Sequence, residues 1–262
     1  MIYISYGMTK SASTFLYQMT EEVFKASGRP VLRLGEPFRR FDSLENYFNV
    51  VDHDLLQRIM QHVGPADIVL KTHGPPGHDI VNLVANQEIL ASASIRDPRE
   101  VALSMIDHGA RARRWRNVPF SEFVTVADTF DALDLQVGFF EAWATIEPVK
   151  VFTYNEICYD SAGVIEAIAQ QIGAAVDVER VLSRFRSKGA IGQFSKGKAL
   201  RYSEMSATDQ GLFLERYAPL YARFAFDTEK ARHVAALQVD KTLRPSGELA
   251  QHIINFRRRF GI

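Results

Sequence analysis

Ile2-Tyr3-Ile4-Ser5-Tyr6-Gly7-Met8-Thr9-Lys10-Ser11-Ala12-Ser13-Thr14-Phe15 is the stretch that decides the fold. Ile2, Tyr3 and Ile4 begin an apolar run of β-branched and aromatic residues that ends at Gly7. Lys10, Ser11, Ser13 and Thr14 then open an amphipathic stretch reaching about Ala26. The pattern predicts a strand, a tight loop and a helix. A turn of this kind aims backbone N–H groups and the positive end of a helix dipole at one point, where a lysine and several hydroxyls also gather. Such a point suits a phosphate or a sulfate. A Walker A nucleotide loop has the form G-x-x-x-x-G-K-[ST], and here Thr9, not glycine, precedes Lys10. A Lys/Ser/Thr cluster at a helix start also serves as a solvated cap, so the segment needs support from elsewhere in the chain.

The 262 residues, 47% hydrophobic, fit one large domain or two small ones with ample material for a core. The 31 basic and 31 acidic side chains cancel, so neither nucleic acid nor an anionic membrane surface is an expected partner, and any anion site must be local. No apolar run approaches a membrane span and no charged leader precedes the first strand, so a cytoplasmic protein is expected. The single cysteine, Cys158, excludes an internal disulfide and a multi-cysteine metal site; packing is its expected role.

Residues 30–34 read as a short second strand. Gly35-Glu36-Pro37 then turns the chain into a loop carrying Phe38, Phe41, Tyr47 and Phe48, which either line a pocket or cover an edge of the core. A helix over 52–63 and a buried strand over 67–70 come next, the strand ending at Lys71. Lys71-Thr72-His73-Gly74-Pro75-Pro76 thus stands where a strand opens into a loop, the place where ligands bind in open α/β sheets. Residues i and i+2 of a strand share a face, so Lys71 and His73 point the same way and His73 is the candidate general base. A strand over 89–95 leads to Arg96, and Asp97-Pro98 caps a helix running from 99 to about 108. Ser104, eight residues after Arg96, meets it on an anion only if the helix packs back across the site.

Three segments in this order resemble the PAPS-dependent sulfotransferases (PAPS is 3′-phosphoadenosine 5′-phosphosulfate), of the bacterial, cytosolic type: Lys10-Ser11-Ala12-Ser13-Thr14, Lys71-Thr72-His73-Gly74-Pro75-Pro76, and Arg96-Asp97-Pro98-Arg99-Glu100 with Ser104. The family's first loop is usually Pro-Lys-Ser-Gly-Thr-Thr-Trp, and Thr9, Ala12, Ser13 and Phe15 depart from it. The resemblance implies an α/β fold, with a central mostly parallel β-sheet flanked by helices, related to the P-loop NTPases. It further implies that Lys10, Ser11, Ala12, Ser13 and Thr14 hold the 5′-phosphosulfate, that Arg96 and Ser104 hold the 3′-phosphate, and that His73 is the base, with Lys10 and Lys71 also catalytic. Tyr154, the last residue of a strand over 149–154, resembles the family's adenine-binding tyrosine; it also reads as a core tyrosine. A lysine-glycine loop that closes over the 3′-phosphate matches either 188–194 or 196–202. The second is preferred because Glu204-Met205-Ser206 and a helix through Tyr217 succeed it, as they do in bacterial members. That choice assigns Lys196 and Gly197, although Ser195 and Leu200 replace the family's arginine and second glycine. No metal is implied, the acceptor is a small molecule with a hydroxyl or an amine, and adenosine 3′,5′-bisphosphate (PAP) is the second product. The resemblance covers about 1–225 of a single expected domain, 1–262, and 226–262 reads as a helical extension.

Arg111-Ala112-Arg113-Arg114-Trp115-Arg116 is either a solvated face or a wall that attracts an anionic acceptor or cofactor. Residues 120–146 read as one or two helices in which Phe139, Phe140 and Trp143 pack, and 162–172 and 178–185 as further helices. Two other functions fit the opening motif: a P-loop small-molecule kinase, which requires ATP and magnesium, and a nucleotide-binding scaffold without turnover.

Overall fold

A computed structural model describes residues 1–38, 46–114, 119–186, 190–191, 200–224 and 226. Its centre is β1 (Ile2–Gly7), paired in parallel with β3 (Ile68–Thr72) on one side and β4 (Leu90–Ile95) on the other. A two-residue β2 (Tyr47–Phe48) extends the sheet beyond β3, and β5 (Lys150–Thr153) beyond β4. The order is therefore β2-β3-β1-β4-β5, with every pair parallel.

Side chains of β1 alternate between two cores, as a strand's period of two requires. Ile2, Ile4 and Tyr6 enter one core with residues of α2 (His53–Val63), α3 (His78–Ala85), α4 (Pro98–Arg114) and α5 (Phe130–Ala144). Tyr3 enters the other, with α1 (Ser13–Ala26), α6 (Tyr154–Tyr159), α7 (Ser161–Gln171) and α8 (Val178–Ser183). Helices cover both faces, which is why β1 is buried along its whole length. The expected α/β architecture is present. Trp143 of α5 stacks on Tyr6 at 5.7 Å and donates from Nε1 to the Gly74 carbonyl at 3.0 Å, tying the first core to the loop after β3. Among the described residues no helix is long and apolar enough to cross a membrane.

Three local expectations need correction. Residues 30–34 form no strand; Val31 makes an isolated bridge to Asp67, and the sheet edge is β2. The cause is Asn46, buried with φ 57°. Its side chain accepts from Leu34 N at 2.8 Å and donates to the carbonyls of Leu32 and Val69, each at 3.0 Å. One side-chain amide takes the backbone groups that a strand partner would have satisfied. The helix after Arg96 does not stop near residue 108 but runs to Arg114, carried by Ala110, Arg111, Ala112 and Arg113, all good helix formers. The last strand ends at Thr153, because Thr153 and Glu156 form a capping box that starts α6, so Tyr154 is helical. Of the expected extension over 226–262, all but Phe226 lies outside the described residues.

Candidate active site

The loops after β1, β3 and β4 are neighbours because their strands are, and the sequence places Lys10, Lys71 with His73, and Arg96 on those three loops. Gly7 ends β1 where no side chain fits: a Cβ there would lie 2.2 Å from Ser13 Cβ and 2.6 Å from Ser94 Oγ. Beyond it Ser11 donates to the Met8 carbonyl at 2.5 Å and shares a hydrogen bond with Ser94 at 2.7 Å, folding the loop back onto β4. Lys10 (φ 65°) and Ala12 (φ 64°) are both left-handed. The family's loop has glycine where Ala12 stands, and this conformation is costly for any residue with a Cβ. Helix α1 starts right after Ala12 with no side-chain cap and no acid in its first turn, so its leading N–H groups open onto the loop.

Two amines and an imidazole face this turn. Lys71 donates to Thr14 Oγ1 at 2.7 Å, fully buried, and burial with the nearby Lys10 charge pushes its pKa down to about 7. Lys10 donates to His108 Nδ1 at 2.8 Å with its Nζ 4.2 Å from the centre of the Phe120 ring; burial and Arg111 push it down to about 8. His73 Nδ1 makes a short hydrogen bond to the Gly7 carbonyl. A carbonyl only accepts, so Nδ1 carries the proton and Nε2 presents a lone pair. Burial and the Lys71 charge, against the pull of the Gly7 carbonyl, lower His73 to about 3, so it is neutral at physiological pH. The arrangement holds a neutral, oriented imidazole beside two buried amines.

Arg96 lies across the loop. Its Nη1 donates to the Lys10 carbonyl at 3.3 Å and its Nε to Glu100 at 2.9 Å, and its guanidinium stacks on Tyr154 at 3.7 Å. Tyr154 therefore gives that ring face to Arg96 rather than leaving it for a base. Ser104 is half-buried on α4, one turn beyond Glu100 on the same face. No hydrogen bond joins it to Arg96 among the described residues. The backbone N–H of Arg201 makes a short bond to Glu100, while its guanidinium meets Asp107 at 3.0 Å and Glu204 at 2.9 Å. Arg99, ion-paired with Asp97 at 2.6 Å, lies 4.0 Å from the Tyr202 ring, and Tyr221 donates to Asp97 at 2.7 Å. Lys196 and Gly197 lie outside the described residues, but Arg201, a few positions later, is fastened to α4 at Glu100 and Asp107. Of the competing stretch, Ala190 and Ile191 are described; both are buried, and the Ala190 carbonyl accepts from Gln18 of α1 at 3.4 Å.

Sequence reading missed four contributors. Gln136 Oε1 accepts from both the N–H (2.8 Å) and the hydroxyl (2.6 Å) of Thr9, fixing the loop where the family's pattern has proline. His108 holds Lys10, Phe120 lies over it, and Glu100 joins Arg96 to Arg201. The departure at Thr9 was the one available signal, since a polar residue in place of a rigid one needs an outside partner.

No family model matches the chain, and no curated protein does. Solved structures do. Retinol dehydratase in complex with androsterone and inactive cofactor PAP aligns over 87% of this chain and 81% of its own, at 17% identity and a TM-score of 0.51. A mouse sulfotransferase complexed with PAP aligns over 89% and 87%, at 13% identity and a TM-score of 0.50. With a parallel sheet of the same kind and strand-end loops carrying the three expected motifs, the chain has the fold of the sulfotransferases.

Proposed function

We propose that this chain is a sulfotransferase that moves the sulfuryl group of PAPS to a hydroxyl or amine of a small molecule. The observation carrying the reading is the convergence of Lys10, Lys71 and a tautomerically fixed His73 on an uncapped helix start. Both structural neighbours were crystallised with PAP, which matches the donor assigned here. The residues fit such a ligand: two buried amines, uncapped first-turn N–H groups and Arg96 supply positive charge at both ends of the β1–α1 turn.

PAPS supplies the sulfuryl group; the bond from sulfur to its bridging phosphate oxygen breaks as the acceptor oxygen bonds to sulfur, and PAP departs. His73 takes the acceptor's proton on Nε2, because Nδ1 is committed to Gly7. Its low proton affinity comes partly from the two ammonium neighbours. A bound polyanion cancels part of their repulsion, so His73 becomes a better base once the donor is in place. Lys10 is assigned to the charge developing on the bridging oxygen, with Lys71 sharing that duty. Ser11, Ala12, Ser13 and Thr14 form the phosphosulfate turn, Arg96 with Ser104 binds the 3′-phosphate, and Tyr154 supports Arg96 from behind. Lys196 and Gly197 are assigned to close over that phosphate.

Calorimetric titration with PAP, compared with ATP plus magnesium and repeated on Arg96→Ala, tests the reading. PAP should bind, Arg96→Ala should weaken it, and ATP should be ignored; binding of ATP without PAP would hand the site to the kinase alternative. His73→Ala should bind PAP normally and lose about 10²–10⁴-fold in turnover.

A further inference from the structure

Phe120 is built into the site with unusual care. It has φ 68°, a conformation that costs a bulky residue free energy and is kept only where the surroundings impose it. Those surroundings are on α4. A Cβ on Gly109 would lie 2.2 Å from the Phe120 carbonyl and 2.8 Å from that of Phe123, so only glycine lets this turn sit so close to the helix. Arg113 Nη1 then donates to the carbonyls of Ser121 at 2.7 Å and Phe123 at 3.0 Å. The turn is clamped, and its product is a ring placed 4.2 Å from Lys10 Nζ and 4.9 Å from the His108 ring.

The charges beside that ring, Lys10 and Arg111, have one sign, and His108 is a neutral acceptor for Lys10. Lys10 and His108 touch it, and Arg111, three residues beyond His108 on the same helical face, is close enough to lower the proton affinity of both. Arg111 is exposed, and no carboxylate among the described residues pairs with it. Asp107, the nearest acid on the helix, is turned to Arg201. Arg111 also stands about 10 Å along α4 from Ser104, away from the end assigned to the 3′-phosphate. A half-buried ring beside Lys10, with an exposed cation one helical turn beyond His108, suggests what an acceptor would offer there.

We propose that the acceptor is an aromatic hydroxyl compound carrying an anionic group, with its ring against Phe120 and its charge on Arg111. This rests on the sulfotransferase reading and narrows it. The test compares a hydroxyphenylpropanoate with the matching neutral amide, using PAPS-dependent turnover and binding in the presence of PAP. Wild-type protein should prefer the acid by about tenfold, the scale of one charge-assisted hydrogen bond. Arg111→Ala should abolish the preference, Arg111→Lys should keep it, and neither should weaken PAP binding. Equal use of acid and amide, or rejection of both, overturns the proposal. So does a fall in PAP affinity for Arg111→Ala, which would move Arg111 to the donor. Failure of wild-type protein to bind PAP at all is a separate result: it removes the sulfotransferase reading, and this proposal with it.

Discussion

Donor binding should draw protons from solution, and the amount is set by the two buried lysines. Lys71, at about 7, and Lys10, at about 8, lose their charge within the working pH range, because burial disfavours the ammonium form. At pH 8 Lys71 is about 10% charged and Lys10 about half charged, so a polyanion that restores both to their ordinary range takes up about 1.4 protons. At pH 6.5 the same sum is about 0.3. Raising pH through the lysine pKa values strips the charge that the phosphates need, so PAP affinity should weaken about 15-fold from pH 6.5 to pH 8. The phosphates' own second ionisation, near pH 6, offsets little of this. Titration calorimetry in two buffers of different ionisation enthalpy reads proton uptake directly, and Lys71→Met at pH 8 should cut it to about 0.5. Heats independent of buffer at pH 8, with an affinity flat from pH 6.5, would refute the claim that these amines are depressed and face the ligand.

Two further outcomes concern the loop. Ala12→Gly relieves about 1–2 kcal/mol of left-handed strain and gives back about 0.4–1 kcal/mol in unfolded-chain entropy, so denaturant unfolding should show a gain of up to about 1.6 kcal/mol; a loss would mean that Ala12 is not strained. Gln136→Ala strands the Thr9 N–H and hydroxyl and should weaken PAP binding about tenfold while leaving the far-ultraviolet circular dichroism unchanged; unaltered PAP affinity would show that the loop stands without its clamp.

The sequence foretold what local pattern encodes. An apolar run marked β1 as a strand, a continuous one marked β3 as a strand buried on both faces, and Asp97-Pro98 marked a helix start at the strand end holding Arg96. Lys71 and His73 were readable as a pair because a strand's period is two, and the structure places both against the β1–α1 turn. What escaped depends on contacts between distant residues. The run 30–34 looks like a strand, and only the amide of Asn46 shows why it is not one. Gln136 and His108 carry no motif; each matters because α5 and α4 cross the β1–α1 turn. The basic run 111–116 was ambiguous for the same reason, since the direction of Arg111 depends on how far α4 continues.

The position of β1 at the middle of the sheet also has a consequence for biosynthesis. This strand leaves the ribosome before either of the strands that take its two hydrogen-bonding edges, β3 and β4. Its loop waits longer still, for Lys71, 57 positions on from Thr14, for Arg96, 86 from Lys10, and for Gln136, 127 from Thr9. Until then Ile2, Tyr3 and Ile4 form an unpaired apolar strand, the kind of segment that chaperones shield and that aggregates when they do not. Nucleotide cannot help during that interval, because the groups assigned to it are not yet together. Any rescue of folding by ligand must therefore act only after synthesis has passed Gln136.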